Sequence, residues 1–182
     1  MKKLLLSLFV IYASAASAQI PAGAADFCKE SNININSKKA VPVKEHVKDI
    51  AHLGNTYFAE NAKDCEFIKT KRKDMNSVLI DARGKGTRGV VRGAVKIISD
   101  HDTPATHQFT ADTFDKKIKD FFKKKKSIDN VDPKSLDIMI FCNGPTCYRT
   151  SWAACSLRQM GYSKEKLHLI LDGYLGLKKS CL

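Results

Sequence analysis

The sequence predicts an α/β domain with a mainly parallel sheet. Three observations lead there. Short apolar runs at 77–81, 94–98, 136–141 and 167–171 have the length of buried strands. Segments with apolar residues at helical spacing lie between several of them, and strands alternating with helices build a parallel layer covered by helices. Three residues with chemical potential, Asp81, Cys142 and Asp172, stand at the carboxyl ends of these runs, where open α/β sheets bind their ligands.

In chain order, Lys2 and Lys3 precede an apolar run from Leu4 to Tyr12, and Ala16-Ser17-Ala18 is an Ala-x-Ala step ahead of Gln19. This is the pattern of a secretory signal peptide over 1–18. The run is too short for a stable membrane anchor. No cysteine follows it to carry a lipid, and no later run is long enough to cross a bilayer. The expected location is periplasmic or secreted. An N-terminal extension is expected over 19–74. It comprises a loose polar stretch, an amphipathic helix from Val43 to Leu53 ended by Gly54-Asn55, a second short helix over Phe58 to Ile68, and a basic linker from Lys69 to Lys73.

The regular domain is expected over 75–182. Its first strand is Ser77 to Asp81, followed by a loop punctuated by Gly84, Gly86, Gly89 and Gly93, and then a strand from Ala94 to Ile98. Thr110 is placed to cap a helix whose apolar face is Phe114, Ile118, Phe121 and Phe122. Lys123 to Lys126 at its end suit the helix dipole and are expected to be solvated. Leu136 to Phe141 is the third strand. A helix from about Thr150 to Met160 is closed by Gly161. Leu167 to Leu171 leads through Asp172-Gly173 into a short terminal helix.

The chain has 182 residues and a formal charge of +12. Removing the first 18 leaves 164, enough for one domain with its own core. It also takes away two lysines and no acids, leaving +10. Such a chain prefers anionic partners. With export, small anions or an anionic membrane surface are expected rather than nucleic acid. The five histidines, at 46, 52, 101, 107 and 168, have no neighbours at metal-ligand spacing. No metal and no other cofactor is expected, and the chain is expected to be a monomer.

Six cysteines follow the leader: Cys28, Cys65, Cys142, Cys147, Cys155 and Cys181. Six thiols allow 15 pairings. A core of this size does not need disulfides to fold, which leaves room for some thiols to be chemical. Cys142 directly follows a strand, and a helix begins a few residues on. Gly144 and Pro145 let the chain curl between them, so that successive amides and the helix N-terminus form an anion cradle. Such a cradle stabilises a thiolate and lowers the thiol pKa. Arg149 adds a fixed charge and a fork of donors suited to an oxyanion, and Thr150 or Ser151 is placed to cap the helix. Cys142 is therefore the expected nucleophile. Asn143, Gly144, Thr146, Cys147, Tyr148, Arg149 and Thr150 are the expected substrate-binding positions. Cys147 stands open between a resolving thiol and a loop staple. If both loop thiols are functional, Cys28, Cys65, Cys155 and Cys181 remain as an even set, and Cys28 is expected to pair with Cys65 because they flank the same extension.

Four segments in order carry a resemblance. Ser-Val-Leu-Ile-Asp-Ala-Arg at 77–83 resembles the Asp-x-Arg strand end of rhodanese-like domains. Gly89-Val90-Val91-Arg92-Gly93-Ala94-Val95 is similar to the Gly-x-Ile-x-Gly-Ala segment that follows there. Ile140-Phe141-Cys142 resembles the strand and nucleophile, and Leu169-Ile170-Leu171-Asp172-Gly173-Tyr174 the closing strand end. The resemblance covers about residues 75–180. It implies a mainly parallel five-stranded sheet flanked by helices, a persulfide on Cys142, an amide cradle from loop residues 143–149, and supporting roles for Asp81 and Arg83. The loop departs from the common pattern. Cysteine stands at 147, tyrosine stands at the Cys-x5-Arg position, and arginine arrives only at Arg149, which counts against phosphatase and arsenate-reductase chemistry.

The function expected is sulfur transfer. The Cys142 thiolate takes the sulfane sulfur of thiosulfate or a similar small anionic donor and passes it to cyanide or a thiol. Two other functions compete with it: a thiol–disulfide protein cycling Cys142 and Cys147, and a binding module that keeps the fold without the chemistry.

Overall fold

The computed structural model describes Cys28, residues 62–99 and residues 108–180. The expected signal peptide, the expected Val43–Leu53 helix, most of the 19–74 extension and Cys181 lie outside those residues. Strands β1 (Ser77–Asp81), β2 (Ala94–Lys96), β3 (Asp137–Phe141) and β4 (Leu167–Ile170) form one sheet in the order β2-β1-β3-β4. Every pairing is parallel. Four helices accompany it: α1 (Cys65–Lys71), α2 (Ala111–Lys126), α3 (Tyr148–Gln159) and α4 (Gly173–Ser180).

The register explains why the strands are apolar throughout. Val78 pairs with Ile138 and Ile138 with Leu167; Ile80 pairs with Ile140 and Ile140 with Leu169. Strand side chains alternate between faces, so these two rows point one way. They pack with Phe114, Ile118 and Phe122 of α2 and with Trp152, Ala153 and Leu157 of α3. The intervening Leu79, Met139, Phe141 and Ile170 point the other way, against Ile68 of α1 and Leu177 of α4. Helices cover both faces, which is why no strand shows the polar alternation of a half-solvated sheet. Burial of each such aliphatic side chain stabilises the fold by about 1.5–3 kcal/mol.

Among the described residues the sheet has four strands, where five were expected. On the free edge of β4 a single residue, Ala62, makes a parallel bridge to Leu169, and the Lys63 N–H donates to the Leu169 carbonyl at 3.0 Å. The ladder stops there because Asp64 turns the chain into α1, its side chain accepting from the Phe67 N–H at 3.0 Å. The same cap corrects the expected Phe58–Ile68 helix: residues 62–64 are extended, and the helix takes in Lys69 and Lys71 of the expected linker.

Helix α2 begins where expected, with the Thr110 hydroxyl accepting from the Thr113 N–H. Its basic end differs from expectation at one residue. Lys126 is only partly exposed: its ammonium donates to the carbonyls of Asp74 and Ser77 at 2.9 Å each and of Met75 at 3.3 Å. Burial pushes its pKa below the ordinary lysine value. It pins the end of α2 to the turn that starts β1. No helix among the described residues is long and apolar enough to cross a membrane.

Candidate active site

The carboxyl ends of β1 and β3, the start of α3 and the turn after β4 converge on Cys142. It is the first residue after β3 and is fully buried. Its carbonyl accepts the Tyr174 N–H at 2.7 Å. The chain then turns through Gly144, Pro145, Thr146 and Cys147, closed by a 3.0 Å bond from the Cys147 N–H to the Gly144 carbonyl. Pro145 occupies the second turn position, which suits its fixed φ. Gly144 has no positive φ, so the curl rests on the proline and the closing bond.

Helix α3 starts at Tyr148, two residues earlier than expected, with Cys147 as its N-cap. Neither Thr150 nor Ser151 caps it. The turn closes at Cys147, so the chain is already helical when it reaches them, and both are buried in the first helical turn. Tyr148 is buried too, its ring set edge-on to Trp152. Tyr148 and Thr150 thus turn their side chains into the interior. Asn143, Pro145 and Thr146 are exposed, and Cys147 and Arg149 are partly exposed.

The loop rests on the turn after β4. Gly173 holds φ +61°, and a Cβ built on it would lie 2.4 Å from the Gly144 nitrogen and 2.5 Å from the Asn143 carbonyl carbon. Only glycine lets that turn touch the loop's backbone. Tyr174, which sequence reasoning passed over, reaches back to the other wall: a Cβ on Gly89 would lie 2.1 Å from its hydroxyl.

Asp81 and Arg83 are brought together as a buried pair beneath this loop. Arg83 Nε donates to Asp81 Oδ1 at 2.9 Å and Nη2 to Oδ2 at 2.7 Å. The same guanidinium donates to the carbonyls of Arg88 at 3.1 Å and Gly89 at 2.8 Å and lies 4.0 Å from the Tyr174 ring centroid. Arg83 therefore ties β1, the glycine-rich loop and the start of α4 together. Burial pushes the Asp81 carboxyl upward, but the Arg83 hydrogen bonds and the Lys96 charge outweigh it and leave the pKa below the ordinary value.

Lys96 was not anticipated. A strand-end lysine carries no signal until the fold sets it 3.3 Å from Asp81. Burial holds its pKa below the usual lysine value, with the Arg83 and Arg149 charges acting in the same direction against Asp81. The Arg149 guanidinium lies over the Tyr148 ring at 4.9 Å and runs along Gly84, where a Cβ would come within 3.5 Å of Nη2. Three cations and one carboxylate thus share this end of the sheet, an environment that favours anionic reactants.

Cys142 is disulfide-bonded to Cys147. Cys28 is bonded to Cys155, not to Cys65 as expected, and Cys65 is itself disulfide-bonded. The local-pairing expectation fails because proximity in sequence is not proximity in the fold. Cys28 lies against α3, where its carbonyl accepts from Gln159 Nε2 at 2.8 Å. The two described disulfides differ in kind. Cys28–Cys155 spans 127 residues, which in the chain-entropy account constrains the unfolded state by about 5 kcal/mol. Cys142–Cys147 spans 5, for about 2 kcal/mol. Cys28 and Cys155 are both buried, whereas Cys147 is partly exposed. The first is a staple; the second can open and close at little cost to the fold.

No protein-family model matches the chain, and no curated protein does. Solved structures that resemble it include two of EanB variants in complex with hercynine and one of an EanB variant with ergothioneine. Each is 17% identical with a TM-score of 0.43, and the matched region covers 65% of this chain and 30% of that one. The chain thus matches less than a third of the length of those proteins, and a likeness of this size carries no argument about the site.

Proposed function

We propose that this protein is an exported, monomeric sulfurtransferase built on a rhodanese-like domain, with the Ala62 bridge standing where a fifth strand would lie. The observation that carries the reading is the setting of Cys142: a buried sulfur at the carboxyl end of an inner parallel strand, in a tight loop that ends on a helix N-terminus. Helix-start amides and neighbouring cations stabilise a thiolate there once the loop disulfide is reduced. The thiolate attacks the sulfane sulfur of a small anionic donor such as thiosulfate. The donor's sulfur–sulfur bond breaks, sulfite leaves with the electron pair, and a persulfide remains on Cys142. A nucleophilic acceptor, cyanide or a thiol, then takes the outer sulfur and returns the thiolate.

A second reading is a dithiol–disulfide protein, favoured by the bond between Cys142 and Cys147. Intact mass after thiosulfate treatment of the reduced protein separates the two. Cys147→Ser, which keeps the nucleophile and cannot close the disulfide, gains one sulfur atom under the first reading, and Cys142→Ser gains none. If Cys147→Ser stays at its starting mass while the wild type still cycles between dithiol and disulfide, the second reading stands.

A further inference from the structure

Resting on that sulfurtransferase reading, we propose that Cys147 discharges the Cys142 persulfide. It closes the loop disulfide and releases hydrosulfide, so the compound that regenerates the enzyme is an external dithiol that opens the disulfide. Three observations lead there. The Cys147 sulfur bonds directly to the Cys142 sulfur. A divalent sulfur already bonded to its Cβ can hold only one further sulfur, so Cys147 occupies the position that the outer sulfur of a persulfide would take. Disulfide and persulfide are therefore alternative states of one atom, and one replaces the other by displacement. Second, Cys147 is the N-cap of a 12-residue helix with no side-chain cap bond of its own; the positive end of the helix dipole favours the thiolate there, which is the nucleophilic form. Third, Cys142 is fully buried while Cys147 is partly exposed. An external dithiol therefore meets the loop disulfide from the Cys147 side and not from Cys142.

The balance is complete. The Cys147 thiolate attacks the inner sulfur of the protonated Cys142 persulfide. The Cys142–Cys147 bond forms, the inner–outer sulfur bond breaks, and the outer sulfur leaves as hydrosulfide with the electron pair and the proton it already held. The sulfane sulfur is reduced by two electrons as the two loop thiols are oxidised to the disulfide. An external dithiol then attacks the sulfur of the partly exposed Cys147 and releases the Cys142 thiolate, and its second thiol closes the external disulfide and releases the Cys147 thiolate. The buried Cys28–Cys155 bond is passed over by the same reagent.

The experiment gives the reduced protein one equivalent of thiosulfate and measures sulfite, hydrosulfide, free thiols and intact mass. The wild type is expected to release one sulfite and one hydrosulfide per chain and to finish as the loop disulfide with no added sulfur. Cys147→Ser is expected to release one sulfite, no hydrosulfide, and to keep the added sulfur. Dithiothreitol should restore turnover to the wild type. If the wild type instead keeps its persulfide beside a free Cys147, or if Cys147→Ser releases hydrosulfide as the wild type does, the inference is overturned while sulfur transfer survives. If neither protein releases sulfite, the sulfurtransferase reading itself is wrong and the inference goes with it.

Discussion

Gly173→Ala tests whether the turn after β4 holds the loop. Alanine at φ +61° costs about 1–2 kcal/mol in left-handed strain alone. Its Cβ would also lie 2.4–2.7 Å from three backbone atoms of Asn143 and Gly144, and backbone cannot rotate away as a side-chain tip can. Overpacking of this kind costs about 1–3 kcal/mol more, for a total of about 2–5 kcal/mol. Two controls divide that sum. Gly86 holds φ +83° with nothing within 4 Å of its Cβ, so Gly86→Ala should show the strain alone. Gly144 has no positive φ and equally open space, so Gly144→Ala should be near neutral or stabilising by a few tenths of a kcal/mol. Urea unfolding midpoints of the oxidised proteins give all three values, and alkylation of the reduced loop thiols shows whether Gly173→Ala also shifts Cys142. Equal losses for Gly173→Ala and Gly86→Ala would refute the claim that the turn buttresses the loop.

Four other outcomes are expected. Arg149→Ala should raise KM for an anionic donor at least several-fold while leaving a neutral donor nearly unchanged, read from steady-state rates with both donors. Asp81→Asn strands the Arg83 charge in a site where its side chain is 2% exposed and should cost about 3–5 kcal/mol by urea unfolding. Because the folded Asp81 pKa lies below the ordinary value of about 3.9, the wild type should hold this contribution above pH 4 and lose it as pH falls below; a pH series of midpoints should show that acid slope flattened in the variant. His168 donates from Nε2 to the Asp137 carboxylate at 3.0 Å, and its Nδ1 is buried without a hydrogen-bond partner among the described residues. Burial lowers its pKa against the pull of Asp137, so stability should be full above about pH 6.5 and decline as pH falls through the folded value, a decline that His168→Gln should remove. Replacing Cys28 and Cys155 together with alanine should lower stability by up to about 5 kcal/mol, whereas Cys147→Ser should lower it by about 2 kcal/mol or less.

Where one physical effect decides an element, the sequence was legible. Strand β1 falls at its expected residues because an apolar run buried on both faces has no competing reading. Thr110 marks the start of α2 because a hydroxyl cap before a phenylalanine stripe is local chemistry. Cys142 was placed at the end of β3 for the same reason. Other features depend on contacts made across the chain. The start of α3 was missed because the turn closed by Cys147 and Gly144 sets it, and Thr150 looked like a cap only in isolation. Lys126 read as solvent-facing because its acceptors lie about 50 residues away in sequence. Lys96, Tyr174 and the partner of Cys28 share that character, since each acquires its role only when the sheet brings distant segments together.

The short spacing of the loop disulfide also bears on how the chain finds its fold. Six thiols pose 15 complete pairings. Cys142 and Cys147 are the two nearest in sequence, only 5 residues apart, and loop closure is entropically easiest for the nearest pair. In a reduced chain refolding under oxidising conditions, their bond needs neither the sheet nor the helices. Once it closes, four thiols remain, with three pairings among them. The same bond that occupies Cys142 thus shrinks the search by which Cys28 must find a partner 127 residues away.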